Sequence, residues 1–374
     1  MTPTKSRAIY EPSFFRGLIG DGINPRVVTD FGCALGTLLP PGAVVVGRDG
    51  RLTGEHYARS IISALNSTGR DVYALGIAPS ATLSVAAREL RCAGAVSITP
   101  GALDAPWSGL KFYDANGEFL APRLYQRILR VYESKKFTEV PSSRIGLFRM
   151  DYTCLTRHIQ RITEMSGIEL MDINRAQMSV VVDCANSGGG SVFPQFLRCI
   201  GVTVHELNSR PAAKYAHPPT LAPANFSELR SEIKNRKAHA GIGLDADASH
   251  IVLFDERGQY VPIEKMLMMI ARQCMRTRRG PIGVEKGLMP RLRKFISGTL
   301  EAPVWDIPHT ESEALLALRR KKGHVGLSAE GGVLYLPENV TPDSLVTTAL
   351  ALSDLAISRQ TLSELVNDLE NLTN

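Results

Sequence analysis

The chain alternates short apolar runs with longer stretches whose apolar residues recur at helical spacing. The run at 42–51 predicts a strand that ends in a glycine turn, and the stretch after it predicts a helix that Gly69 ends. The run at 71–76 predicts the next strand. Strand, helix and strand in this order indicate an α/β layered fold.

Two other regions extend this pattern. Asn24-Pro25 is a good helix start, because an asparagine cap precedes a proline in the first turn. In the second half, predicted strands at 179–183 and 201–204 flank a helical stretch, and 341–369 predicts two helices. The chain is therefore expected to contain more than one α/β unit.

The stretch at 92–120 predicts a strand, a loop and a second strand. It begins with an apolar run, turns at Pro100-Gly101, and returns as a second apolar run that ends at the Asn116-Gly117 turn. A loop that leaves the end of a buried strand is a common place for catalytic residues, because a rigid scaffold holds it.

This stretch resembles the active-site loop of the α-D-phosphohexomutases, the phosphomannomutase/phosphoglucomutase family. The family pattern is I-T-A-S-H-N-P followed by Y-N-G-I-K, and it agrees with Ile98, Thr99, Gly109 and Lys111. The serine that carries the phosphoryl group in the family falls on Gly101, which has no oxygen to carry one. The resemblance therefore implies no catalytic residue here, and it implies Lys111 as a ligand-binding residue.

A second resemblance lies in the stretch at 241–251. Asp245 and Asp247 match two of the three aspartates that hold Mg²⁺ in the family, and the third position is Ser249. Mg²⁺ demands charged oxygens in a near-octahedral array, so the resemblance implies no cofactor or only weakly bound Mg²⁺. The alternative is that the two aspartates cap the backbone of a tight loop.

Further matches suggest a site for a sugar phosphate or another anion. Arg16 matches the arginine that faces the reacting phosphate in the family, and Arg51 closes a turn similar to the family's G-R-D-x-R. Ser328 and Glu330 lie where the family carries its sugar-recognition loop. The resemblance implies that these four residues bind ligand together with Lys111. For Arg16, a surface arginine beside a turn is the alternative.

The resemblance covers nearly the whole chain and implies an α/β fold of three consecutive phosphohexomutase-type α/β/α domains with mixed sheets. Their expected bounds are 1–140, 141–253 and 254–374. The family continues into a fourth domain that grips the substrate phosphate. Because the sequence ends at Asn374, we expect that domain to be absent.

The composition is that of an ordinary globular protein, with 44% apolar and 21% charged residues in 374 positions. No apolar run is long enough for a membrane span, and the first residues lack a secretory signal, so we expect a cytoplasmic protein. The six cysteines have no metal-ligand spacing, and most lie in apolar stretches, which favours buried free thiols.

The net charge of +6 is concentrated at 255–323. Basic clusters at 276–279 and 319–322 suggest a surface that docks a partner, and solvated helix ends are the alternative. No aromatic residues are interleaved with these charges, so nucleic-acid binding is not expected.

Three hypotheses for the function follow. The first is a catalytically inactive phosphohexomutase-like protein that acts by binding, as a regulatory or scaffolding partner with a protein partner or as a homo-oligomer, in a setting such as surface-polysaccharide or sugar-nucleotide metabolism. The second is an active intramolecular phosphotransferase with rearranged catalytic residues, for which Thr99 and Ser108 are the nearest hydroxyls. The third is a subunit that binds no ligand and docks through its basic face. The missing nucleophile favours the first, and whether the chain is an enzyme stays open.

Overall fold

The computed structural model describes residues 7–287 and 289–372, and it contains three β-sheets that follow one another along the chain. The first unit contains these elements in chain order: β1 (Ala8–Glu11), β2 (Phe14–Leu18), α1 (Pro25–Leu38), β3 (Val44–Arg48), α2 (Leu52–Ser67), β4 (Val72–Ile77), α3 (Ser80–Glu89), β5 (Gly94–Ile98), β6 (Trp107–Asp114), α4 (Pro122–Ser134) and β7 (Phe148–Met150). Its sheet has the strand order β1-β2-β6-β5-β3-β4-β7. Strands β3, β4, β5 and β7 run parallel, and β1, β2 and β6 pair antiparallel, so the sheet is mixed.

The second sheet has five strands. Its unit contains α5 (Cys154–Thr163), α6 (Leu170–Arg175), β8 (Ser179–Asp183), α7 (Phe193–Cys199), β9 (Thr203–Leu207), α8 (Ser227–Arg236), β10 (Ala240–Leu244), β11 (Ile251–Asp255) and β12 (Tyr260–Val261). The strand order is β12-β11-β10-β8-β9, and β11 runs antiparallel to β10. Single 3₁₀ turns lie at Ser142–Arg144, Gly188–Ser191 and Pro223–Phe226.

The third sheet has four strands in the order β14-β13-β15-β16. Its unit contains α9 (Ile263–Thr277), β13 (Ile282–Glu285), α10 (Pro290–Lys294), β14 (Val304–Ile307), α11 (Glu311–Arg320), β15 (Val325–Leu327), β16 (Val333–Tyr335), α12 (Ser344–Ser358) and α13 (Leu362–Asn371), with a π-helical turn at Phe295–Thr299. The predicted α/β fold with mixed sheets is confirmed.

The local signals in the sequence act as expected. The Asn24 side chain accepts a hydrogen bond from the backbone N–H of Val27 at 3.1 Å, which caps α1. Phe31 lies on the buried face of that helix. Gly69 has a φ of +82° just after α2, a conformation that glycine adopts without steric cost. These contacts fix the ends of the two helices that pack on the first sheet.

One hydrophobic core runs without interruption from the second unit into the third, whereas the two faces of the first sheet have cores of their own. A buried polar chain ties the units together. His158 on α5 contacts Thr82 Oγ1 through Nδ1 at 2.9 Å and Asp343 Oδ2 through Nε2 at 2.9 Å. Because Thr82, His158 and Asp343 are almost fully buried, these bonds fix α3, α5 and the start of α12 relative to one another.

The basic clusters are partly used inside the molecule. Arg276 donates to Asp354 at 2.7 Å, and Arg319 pairs with Glu118 of the first unit. These two charges hold the fold and are not free for a partner. All six cysteines are free thiols, and four of them are buried. No helix of the described residues is long and apolar enough to cross a membrane.

Candidate functional site

A cleft of about 360 Å³ opens where strands of the three sheets end. The loops that follow β5, β10 and β15 border it, as does Glu285 at the end of β13. Ligands of open α/β sheets bind at the carboxyl ends of the strands, so this is the expected position for a site. The lining residues are Glu11, Pro12, Phe14, Arg16, Ala102, Leu103, Lys111, Phe119, Asp245, His250, Glu285, His309, Thr310, Glu311, Ser328 and Glu330.

Gly101 occupies a position that only glycine fits. Its φ is +63°, and a Cβ built on it would lie 2.9 Å from Cε1 of Phe14. Its backbone N–H donates to Oγ1 of Thr99 at 3.0 Å, which closes the turn after β5. The turn is therefore formed without a side chain at 101.

Arg16 reaches the cleft from β2. Its guanidinium carbon lies 3.7 Å from the centre of the Phe14 ring, and the same group pairs with Glu11. Burial lowers the pKa of Arg16, and the field of nearby acidic groups, Asp247 foremost, opposes that shift. The side chain stays charged, because an arginine pKa lies far above neutral pH. It can therefore bind an anion in the cleft.

Arg51 does not reach the cleft, in contrast to its expected role in ligand binding. Its Nε donates to Asp49 Oδ2 at 2.8 Å, and its Nη1 donates to the carbonyl oxygens of Ala105 and Trp107 at 2.9 and 3.0 Å. The Asp49 carboxylate also accepts from the hydroxyl of Tyr215. These bonds use the guanidinium to hold the loop between β5 and β6. The arrangement supports a structural role for Arg51.

Lys111 lies at the centre of a buried polar network. Its Nζ donates to Asp247 Oδ2 at 2.6 Å and to Ser249 Oγ at 3.3 Å. Ser80, the first residue of α3, also donates to Asp247 Oδ2, at 2.7 Å. Burial by itself would lower the pKa of Lys111, but the Asp247 carboxylate more than offsets this, so the net direction is upward. The lysine is therefore a fixed positive charge on the wall of the cleft.

Asp245 pairs with His250 in the loop after β10. Asp245 Oδ1 accepts the backbone N–H of Ser249 at 2.8 Å, and Oδ2 accepts from His250 Nδ1 at 3.2 Å. Burial disfavours the charged imidazole, but the Asp245 carboxylate overrides this and raises the pKa of His250. With Nδ1 bonded to the carboxylate, Nε2 is the ring nitrogen left for the cleft, and a Cβ on Gly332 would lie 3.2 Å from it.

Ser328 and Glu330, for which the resemblance implies a role in ligand binding, also line the cleft. The Ser328 hydroxyl accepts the backbone N–H of Gly332 at 2.9 Å, which fixes the loop between β15 and β16. His309 donates through Nδ1 to Glu285 Oε1 at 2.8 Å, and that carboxylate raises the pKa of His309.

The structure thus brings Arg16, Lys111, Asp245, Ser328 and Glu330 to one cleft, together with residues that sequence reasoning did not select. The latter are Glu11, Phe14, His250, Glu285 and His309. Glu285 had a signal, because it ends an apolar run as Asp183 does. His250 had one too, since it follows two aspartates in a short loop.

The 245–250 loop carries two carboxylates, Asp245 and Asp247, where the family pattern has three. Among the described residues there is no cluster of three or more histidine, cysteine, aspartate or glutamate side chains that could hold a metal ion. Asp245 accepts hydrogen bonds from its own loop, and Asp247 Oδ2 accepts from Lys111 and Ser80. Asp247 Oδ1 is buried and has no hydrogen-bond partner among the described residues.

The fold and the cleft define an α/β protein with three sheets and a cleft, lined in part by Arg16 and Lys111, where their strands end. The chain belongs to the phosphoglucomutase/phosphomannomutase family. Residues 13–139 match its alpha/beta/alpha domain I, and residues 156–258 match its alpha/beta/alpha domain II.

Named relatives match most of the chain. A probable phosphoglucosamine mutase of Thermococcus gammatolerans is 30% identical over 349 residues, which are 92% of this chain and 75% of the relative. A phosphoglucomutase/phosphomannomutase of Thermococcus kodakarensis is 28% identical over 95% of this chain and 78% of its own length. The solved structure of a putative phosphomannomutase from Thermus thermophilus superposes with a TM-score of 0.88 at 21% identity, covering 99% of this chain and 85% of that chain.

These comparisons correct the leading hypothesis from the sequence. The interpretation of the chain as a catalytically inactive binding protein is wrong, because relatives with mutase names are about 30% identical to it over more than nine tenths of its length. The alternative, a phosphotransferase with rearranged catalytic residues, agrees better with them. The comparisons give no support to a protein partner.

Proposed function

We propose that the chain is a phosphohexomutase-type enzyme, an intramolecular phosphotransferase that acts on hexose phosphates. The observation that carries the proposal is the single cleft to which three units contribute charged side chains, in a chain with mutase relatives. We take these units to be domains near the expected bounds of 1–140, 141–253 and 254–374. The first two extend past those bounds, because β7 (Phe148–Met150) belongs to the first sheet and β12 (Tyr260–Val261) to the second. A cytoplasmic role in carbohydrate metabolism goes with this activity.

Two cations and two hydroxyl-binding groups would position the substrate. Arg16 and Lys111 bring positive charge to the first-unit wall of the cleft, where a phosphoryl group would bind. Ser328 and Glu330 also line the cleft and would bind sugar hydroxyls. Holding the sugar phosphate at both ends supplies the alignment on which phosphoryl transfer depends.

The phosphoryl acceptor must be a group other than residue 101. The hydroxyls of Thr99 and Ser108 are fully buried and neither residue lines the cleft, so they are poorly placed for attack. His250 does line it, and the bond from Nδ1 to Asp245 leaves the Nε2 lone pair as the nucleophile. His250 is therefore our candidate for the residue that carries the phosphoryl group.

The proposed cycle conserves atoms and charge. A hexose bisphosphate first phosphorylates His250: the P–N bond forms, a P–O bond to the sugar breaks, and the sugar oxygen takes a proton from Glu330. The phosphorylated imidazole then gives the group to the free hydroxyl of the next hexose monophosphate. In that step the P–N bond breaks, the new P–O bond forms, and the hydroxyl proton goes to the Glu330 carboxylate.

The test is a coupled mutase assay with the 1-phosphates of glucose, mannose and glucosamine. We expect turnover of at least one of them. We also expect His250→Gln to lower kcat by roughly two orders of magnitude or more, because the variant lacks the nucleophile that forms the covalent intermediate. The matched control is His56→Gln, an exposed histidine on α2. No turnover of any of the three sugars would refute the proposed function.

A further inference from the structure

Lys111 bonds to Asp247 and Ser249 in the loop after β10, and these bonds suggest how the cleft supplies positive charge. Enzymes that transfer phosphoryl groups neutralise the developing charge with metal ions, arginine or lysine. In the family, three aspartates hold Mg²⁺ at the positions of Asp245, Asp247 and Ser249, whereas the two carboxylates and the serine found here do not form that donor set.

The geometry around Asp247 is that of an ion pair already formed. Lys111 Nζ lies 2.6 Å from Asp247 Oδ2 and 3.3 Å from Ser249 Oγ, two of the three positions that the resemblance assigns to the metal. The Lys111 side chain is only 9% exposed, and Asp247 is 1% exposed. Removing the lysine would leave a buried carboxylate without its counter-ion, which is strongly destabilising.

The strand fixes the ammonium at this point. Lys111 lies on β6, where it is paired with Ser97 of β5 on one side and with Phe14 of β2 on the other. Its Nζ lies 5.2 Å from the centre of the Phe14 ring. A metal ion that bound Asp247 through Oδ2 would have to displace the bond from Lys111 Nζ. The loss of the third carboxylate at Ser249 also makes the exchange unfavourable for an ion that needs six oxygen ligands.

We infer that the ammonium of Lys111 is the resident cation of this centre and takes the place of a divalent metal ion. Two of its three N–H groups are used by Asp247 and Ser249, and the third is left for a phosphoryl oxygen of a ligand in the cleft that Lys111 lines. Because this cation is covalently part of the chain, a chelator cannot remove it.

The inference is tested by metal binding, so its outcome is independent of whether the chain turns over any sugar. The wild-type chain is titrated with Mn²⁺ and followed by electron paramagnetic resonance, and its melting temperature is compared in Mg²⁺ and in EDTA. We expect no saturable Mn²⁺ site in the millimolar range and a melting shift below about 1 °C.

A double variant, Lys111→Met with Ser249→Asp, removes the ammonium and restores the third carboxylate. We expect it to gain one saturable Mn²⁺ site and to melt higher in Mg²⁺ than in EDTA. Ser249→Asp alone serves as the control that keeps the lysine, and it should bind at least tenfold more weakly than the double variant. A saturable Mn²⁺ site in the wild-type chain, or a melting temperature that falls in EDTA, would overturn the inference. The wild-type titration decides even if the double variant fails to fold.

Discussion

Gly101→Ser is the substitution that would restore the hydroxyl of the family pattern, and the structure predicts that it destabilises the chain. Residue 101 has a φ of +63°, and its Cβ would lie 2.9 Å from Cε1 of Phe14. A left-handed conformation costs a non-glycine residue about 1–2 kcal/mol. Overpacking against the buried Phe14 ring adds about 1–3 kcal/mol. The new hydroxyl would therefore be gained only with a rearranged loop.

Gly20 provides a matched control for the backbone term. Its φ is +92°, and nothing lies within 4 Å of the position of its Cβ. Gly20→Ser should therefore cost only the left-handed term, about 1–2 kcal/mol. The difference between the two variants isolates the contact with Phe14.

Thermal unfolding followed by circular dichroism measures the two effects side by side. We expect Gly101→Ser to melt below Gly20→Ser by about 2–4 °C for each kcal/mol of the contact term. Phe14→Leu in the Gly101→Ser background should recover part of that loss, as a double-mutant cycle would show. Equal melting temperatures for the two serine variants would refute the reasoning, because the Phe14 ring would then not limit the space at residue 101.

Three further predictions follow from the described contacts. Arg51→Met should lower the free energy of unfolding by about 3–5 kcal/mol, since Asp49 loses its buried partner, and urea unfolding checks this. Arg16→Met should raise the KM for a sugar phosphate at least about tenfold with a smaller effect on kcat, which steady-state kinetics would show. Burial by itself would lower the pKa of His217, but the Asp183 carboxylate outweighs this and raises the pKa. The ion pair of His217 with Asp183 should therefore stabilise the fold fully below about pH 6.5, and this stabilisation should be lost as pH rises through the folded-state pKa. A His217→Gln variant melted across pH should differ from wild type only on the acidic side.

Much of the fold could be predicted because local signals and burial pointed the same way. The Asn24 cap and the buried run at 94–98 each specify an element almost without tertiary information. The antiparallel pairing of β6 with both β2 and β5 was not predictable in this way, since strand order depends on contacts between distant residues.

The site was predictable residue by residue but not as an arrangement. The family resemblance selects Lys111 and Asp247, yet only the fold shows that they bond to each other across 136 positions. For Arg51 the resemblance predicts a ligand contact that the fold does not show. An arginine in a turn can point to a ligand or back to the protein, and the carbonyl oxygens that bind Arg51 belong to residues more than 50 positions away. For His250 the sequence favours a hydrogen-bonded structural role over metal ligation, and the position of its second ring nitrogen at the cleft becomes evident only in three dimensions.

The proposed cycle requires that a phosphoryl group moves through this cleft on the side chain of His250. The most direct measurement is to incubate the purified chain with a hexose 1,6-bisphosphate and to map the modified residue by mass spectrometry under conditions that preserve phosphohistidine. We expect one phosphoryl group on His250, and we expect acid to remove it. A chain that stays unmodified, or one that carries the group on Thr99 or Ser108, would contradict it.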